Sequence, residues 1–103
     1  SGNTPEIKAL LPLIKNMNNT LIGMTGNLDS YLAKESEYVL DASVDKEACP
    51  NNLAPTSSTT AQLVMGDALA VSLLACKNFT DKDFARFHPG GTLGKRLSVK
   101  LFD

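Results

Sequence analysis

The chain has 103 residues, 43% of them hydrophobic and 20% charged, with a net charge of −1 and a pI near 5.7. That balance describes one small soluble globular domain and excludes a disordered chain or a membrane protein. No basic footprint points to nucleic acid, and the absence of Trp removes the stacking platforms that single-strand binders use.

Taken in chain order, Thr4-Pro5-Glu6 predicts a helix start, with Thr4 as N-cap and Pro5 at the first helical position. Ile7, Leu10, Leu11 and Ile14 follow at helical spacing, and Pro12 inside that pattern is expected to kink or shorten the helix. The apolar run Thr20 to Thr25, closed by Gly26-Asn27, predicts a buried strand. One or two helical turns are expected from Asp29 to Lys34 with Asp29 as cap, then a second short strand at Tyr38-Val39-Leu40. A loop from Ser43 to Pro55 leads to five consecutive hydroxyl residues, Thr56 to Thr60. The apolar stretch Ala61 to Cys76 after them predicts a helix buried in protein and too short to span a bilayer. Thr80 to Asp83 caps another short helix that ends before His88-Pro89-Gly90-Gly91.

This order of elements predicts the α/β class, a parallel sheet with helices on its faces. Two strands do not make an independent doubly wound sheet, so further strands are expected from residues outside the chain. The chain opens Ser1-Gly2 without an initiator Met, which reads as a processed or partial product, and shows no signal peptide. Cys49 and Cys76 lie far apart with no metal-ligand spacing around them. They are expected to be free thiols in a reducing compartment, Cys76 as a buried one.

Several residues are candidates for chemistry. Ser1, Gly2 and Thr4 sit where backbone N–H groups at a helix N-terminus would hold a phosphate monoester. The plainer reading is that Thr4 only caps and Ser1-Gly2 belongs to no site. In the hydroxyl run, one residue suffices for a cap, so Thr56, Ser57 and Ser58 are either phosphate-binding or surface residues. Glu6 in a first helical turn is accounted for by the macrodipole alone, and Glu47 in Lys46-Glu47-Ala48-Cys49-Pro50 by solvation alone. Either could also serve acid–base chemistry. His88 is the single imidazole. Pro89 biases it to extended geometry, and Gly90-Gly91 allows close approach to a ligand or another chain. Gly90 to Arg96 does not make a P-loop, because the spacing is too short and Arg96 stands where Ser or Thr must hold magnesium. Cys49 has no second histidine to activate it as a nucleophile.

Three blocks resemble the sugar isomerase (SIS) domain, and within it the arabinose-5-phosphate isomerases. Ser1 to Glu6 is similar to the end of the family's phosphate loop and the glutamate after it. Lys46 to Pro50 with Leu53 to Thr60 forms the second block. Met65-Gly66-Asp67-Ala68-Leu69-Ala70-Val71, followed by Phe79-Thr80, Asp83-Phe84-Ala85 and His88-Pro89-Gly90-Gly91 to Gly94, forms the third. The resemblance implies a three-layer α/β/α SIS-type fold missing its N-terminal strands, with residues 1–97 as the C-terminal part of the domain and 98–103 as a tail or linker start. It also implies interconversion of D-ribulose 5-phosphate and D-arabinose 5-phosphate through a cis-enediol, on the route to 3-deoxy-D-manno-octulosonate. Glu6, Glu47 and His88 match the family's catalytic glutamates and histidine, whereas its catalytic lysine, in an earlier Gly-Lys-Ser loop, has no counterpart here. The implied setting is a cytoplasmic homo-oligomer acting on a phosphorylated pentose, with no cofactor, metal, nucleic acid or membrane. A non-catalytic regulatory SIS domain that binds sugar phosphate is the second function the resemblance allows.

Overall fold

A computed structural model describes residues 1–96, so the expected tail at 98–103 lies outside the described residues. The elements follow the predicted order: α1 (Pro5–Asn16), β1 (Ile22–Thr25), α2 (Tyr31–Glu35), β2 (Tyr38–Asp41), α3 (Ser57–Cys76) and α4 (Asp81–Phe87). Two compact units divide the chain, Ser1–Asp67 and Ala68–Asp103.

In the first unit, β1 and β2 pair in parallel with Ile22 opposite Tyr38 and Thr25 opposite Asp41. A parallel pair needs a crossover, and α2 supplies it, packed on β1 on one side and on α1 on the other. Leu11, Leu21, Ala33 and Ala42 form the small buried core of this unit, with Thr25 and Ser30 as buried polar members. β1 is only partly the buried strand expected, since Ile22 is half exposed while Gly23 and Thr25 are buried.

Three local expectations change. Helix α1 runs through Pro12 to Asn16 instead of ending there. The bond Pro12 cannot make is to the carbonyl of Lys8, and both residues are exposed, so water can satisfy that carbonyl. Thr4 occupies the N-cap position in extended geometry, yet its hydroxyl makes no capping hydrogen bond. The cap of α2 is Ser30 rather than Asp29: Ser30 Oγ accepts from the Ala33 N–H at 3.2 Å. Ser30 is completely buried, which a neutral hydroxyl tolerates and the Asp29 carboxylate would not.

The residues before α1 are built into this unit. Gly2 has φ +82°, and its carbonyl accepts from the Leu32 N–H at 3.1 Å. A Cβ at Gly2 would stand 2.6 Å from Ser30 Oγ, so the turn excludes any side chain on steric as well as conformational grounds. Asn3 Oδ1 accepts from the Tyr31 N–H at 2.8 Å, and the Thr25 hydroxyl donates to the Ser1 carbonyl at 3.3 Å.

Helix α3 has no buried residue; Leu63, Val64, Val71 and Leu73 all face out. Nothing among the described residues covers the helix that was expected to be buried in protein, and Cys76 is likewise an exposed free thiol here. Its apolar residues are spread around the whole circumference, so no single packing surface could cover them. The hydroxyl residues from Ser57 extend the helix to 20 residues, long and apolar enough to cross a membrane by length and composition alone, contrary to the shorter stretch predicted. The helix stops in a Schellman turn. Asn78 takes φ +52°, its N–H bonds the Ala75 carbonyl, and the Phe79 N–H bonds that of Leu74.

In the second unit, α4 opens with the predicted cap, here a full capping box. The Thr80 hydroxyl accepts from the Asp83 N–H, and the Asp83 carboxylate accepts from the Thr80 N–H at 3.0 Å. The Thr80 backbone N–H first, and then the Thr80 hydroxyl donating at 2.9 Å, hold the Asp83 carboxyl below the usual aspartate value. Ala85 is buried, and Phe79 stacks on Phe87.

Replacing Gly2 by Ala is expected to destabilise the protein by about 2 kcal/mol, combining a left-handed backbone with overlap at Ser30. Urea unfolding measures it, and an unchanged midpoint would mean that the Gly2 turn is not held as described.

Candidate active site

The C-terminal ends of β1 and β2 open on the same side of the sheet, where parallel α/β folds take their ligands. There Gly26 and Asn27 after β1, and Ala42, Ser43 and Val44 after β2, line a cleft of about 260 Å³ with Ser1, Ser58 and Gln62. Its polar groups are neutral hydroxyls and amides, suited to the hydroxyls and phosphate oxygens of a small sugar ester. Asp41 is turned to structural use at the rim: it accepts from the Ser43 N–H at 2.9 Å. Its carboxyl is held below the usual range by the Ser43 hydroxyl first and that N–H second. A second cleft, about 680 Å³ and mostly apolar, is lined by Ala48, Pro55, Thr56, Ser57 and Thr59 to Ala61. The smaller cleft is the better site for a phosphorylated sugar, because polar groups converge there at the strand ends.

The fold holds the candidate phosphate residues of the N-terminus at defined positions. Ser1 lines the strand-end cleft, and Gly2 makes the tight turn beside it. Thr4 keeps a hydroxyl that capping does not use. Glu6 projects from the first turn of α1, exposed, and no hydrogen bond or ion pair engages its carboxylate among the described residues.

Glu47 is placed very differently. Its Oε2 accepts from the Thr56 N–H at 2.5 Å and from the Thr56 hydroxyl at 3.4 Å, while Oε1 accepts from the Ser58 N–H at 3.2 Å. A carboxylate across the first turn of α3 satisfies N–H groups that have no partner within the helix and complements its dipole. Glu47 is therefore the cap of α3, brought from nine residues upstream, and not simply a solvated loop residue. The loop is closed at both ends of this tie. The Glu47 N–H donates to Asn52 Oδ1 at 2.7 Å, and Thr56 Oγ1 accepts from the N–H groups of Ala48 and Cys49 at 2.9 and 3.3 Å. The Thr56 hydroxyl is thus engaged within the loop, Ser57 faces the larger cleft, and Ser58 reaches the smaller one. The Thr56 backbone N–H, then the Ser58 hydroxyl, hold the Glu47 carboxyl below the usual glutamate value. In the same loop the backbone N–H groups of Ala54, Leu53 and Asn51, in that order, pull the Cys49 thiol down.

In the second unit His88 is the C-cap of α4, exposed, with its ring stacked on Phe84 at 4.1 Å. Nδ1 lies 2.9 Å from the Phe84 carbonyl oxygen. A carbonyl only accepts, so Nδ1 carries a proton in this contact and Nε2 is the ring nitrogen left for another partner. Among the described residues, space around Gly90 is open, and a Cβ at Gly91 would meet only the His88 carbonyl oxygen, at 3.8 Å. Gly94 is the crowded one: it is buried, and a Cβ there would overlap the His88 carbonyl. Gly94 was a residue of the rejected P-loop pattern, and its recurrence four residues after Gly90 was the available signal. Asn27, Ser43 and Gln62 carry no motif, and only the strand ends reveal them.

Residues 1–72 match the SIS domain family. The whole chain is 63% identical to arabinose 5-phosphate isomerase KdsD of Pseudomonas aeruginosa, of which it covers 32%. Over 98% of the chain it is 56% identical to arabinose 5-phosphate isomerase KdsD of Francisella tularensis, covering 31% of that protein. The fold matches a protein of Escherichia coli CFT073 solved in complex with A5P, at TM-score 0.79 and 44% identity, over 86% of this chain and 47% of the other. The chain spans about a third of the length of the curated relatives it matches. With a parallel sheet that fits part of the SIS fold and a family match over more than half its residues, the chain belongs to the SIS domain family.

Proposed function

We propose that this chain is part of a sugar-phosphate isomerase that interconverts D-ribulose 5-phosphate and D-arabinose 5-phosphate. The observation that carries this reading is the strand-end cleft, where Ser1, Asn27, Ser43, Ser58 and Gln62 converge in a chain whose relatives are named for that reaction. Ser1, the Gly2 turn and the uncommitted Thr4 hydroxyl bind the phosphate at the N-terminus of α1, with Ser58 of α3 beside them.

Isomerisation moves one proton between C1 and C2 and another between O1 and O2. Glu6, whose carboxylate has no partner to lose, takes the C1 proton of the ketose and returns it to C2. Nε2 of His88 accepts the O1 proton and passes it to O2, on the substrate of its own chain or of a neighbouring copy. With the carbon-bound proton held on Glu6, the intermediate is the enediolate, the anion of the cis-enediol; the net proton count over the cycle is zero, and the reverse reaction retraces the steps. Each group is worth about 10² to 10⁴ in rate. The same reading places the enzyme in the cytoplasm as a homo-oligomer, supplying pentose phosphate for 3-deoxy-D-manno-octulosonate.

The test is turnover of D-ribulose 5-phosphate by the full chain. His88→Ala and Glu6→Gln are each expected to lower kcat by about 10² or more. Near wild-type rates for both would overturn the assignment, and tight sugar-phosphate binding without turnover would favour a regulatory domain instead. Gly94→Ala should lower kcat by about 10²-fold by displacing His88, with KM nearly constant. A KM effect alone would place Gly94 in substrate binding instead.

A further inference from the structure

We propose that Glu47 is a positioning residue, locking the first turn of α3 so that Ser58 is held at the strand-end cleft, and that it is not the base that moves the carbon-bound proton. The inference rests on the isomerase reading and divides the labour of its two glutamates.

The geometry carries it. Both carboxylate oxygens of Glu47 are committed to Thr56 and Ser58, and each bond is made to a backbone N–H that would otherwise lack a partner at the helix start. A base that took up a proton on either oxygen would weaken those bonds in the middle of the reaction. The loop reinforces the commitment, since Asn52 fixes the backbone of Glu47 while Thr56 Oγ1 gathers the N–H groups of Ala48 and Cys49. Asn52 itself holds a left-handed backbone at φ +53° to make its contact. What this arrangement delivers is Ser58. The residue whose N–H binds Glu47 also lines the strand-end cleft, next to Ser1, Ser43 and Gln62. The lowered Glu47 carboxyl agrees, because a carboxylate stabilised in its charged form is a weaker proton acceptor. Glu6 carries no such commitment.

Glu47→Gln in the full chain tests the division. Gln retains one acceptor oxygen and the side-chain shape, so one of the two N–H bonds survives. A positioning role predicts that KM for the pentose phosphate and the inhibition constant of inorganic phosphate rise about tenfold, the size of one charge-assisted hydrogen bond. It also predicts that kcat falls by less than about tenfold, that the acid limb of the kcat profile against pH is kept, and that amide exchange at Thr56 or Ser58 accelerates. Glu47→Ala should enlarge the same effects in the same order. A kcat loss of about 10³-fold or more in Glu47→Gln, with KM unchanged and the acid limb abolished, would overturn the proposal. Unchanged amide exchange at both residues would overturn it as well. Wild-type protein that binds phosphate but turns over no sugar would remove the isomerase reading, and the exchange and phosphate readouts would still decide what Glu47 holds.

Discussion

Gly2 packed against Ser30 is the contact on which the first unit depends, because it ties the crossover between the strands to the residues that enter α1. Helix α2 has only five residues, far too few to persist on local bonding alone. Ser30 caps it from a fully buried position, and the Ser1 to Asn3 segment docks on it, with Leu32 bonding the Gly2 carbonyl and Tyr31 bonding Asn3. The same docking brings Ser1 to the ends of β1 and β2. Fold and candidate site therefore share one stretch of backbone.

The two glutamates of the family motif are treated in opposite ways by this fold. Glu6 stands on a helix whose N-cap hydroxyl makes no capping bond, so the first turn of α1 keeps both a hydroxyl and a carboxylate for other partners. Glu47 instead spends both oxygens on the first turn of α3. One helix start is left open and the other is closed by a side chain.

The cap of α4 was legible in the sequence, and the caps of α2 and α3 were not. Thr80 and Asp83 stand at capping-box spacing, and the helix begins where that spacing places it. Ser30 and Asp29 are equally good caps by residue type, and burial, which no local pattern reveals, selects Ser30. Pro12 looks like a terminator until the exposure of Lys8 shows that the lost bond is harmless. The order of elements and the parallel pairing followed from periodicity. The strand-end cleft did not, because Asn27, Ser43 and Gln62 become neighbours only after the strands are aligned.

Helix α3 shows the same division between ends and sides. Its beginning is held by Glu47 and its end by the Schellman turn at Asn78, so local bonds fix its length. Its sides, apolar around the circumference and uncovered among the described residues, contribute little stability as they stand. Burial of those sides by further protein would stabilise the helix without moving its ends. Ser58 would then be set by Glu47 before any cover arrives, and the cover would make that setting rigid. A site residue carried on the first turn of such a helix is positioned by hydrogen bonds and made durable by packing, two contributions that single substitutions at Glu47 and at Leu63 can separate.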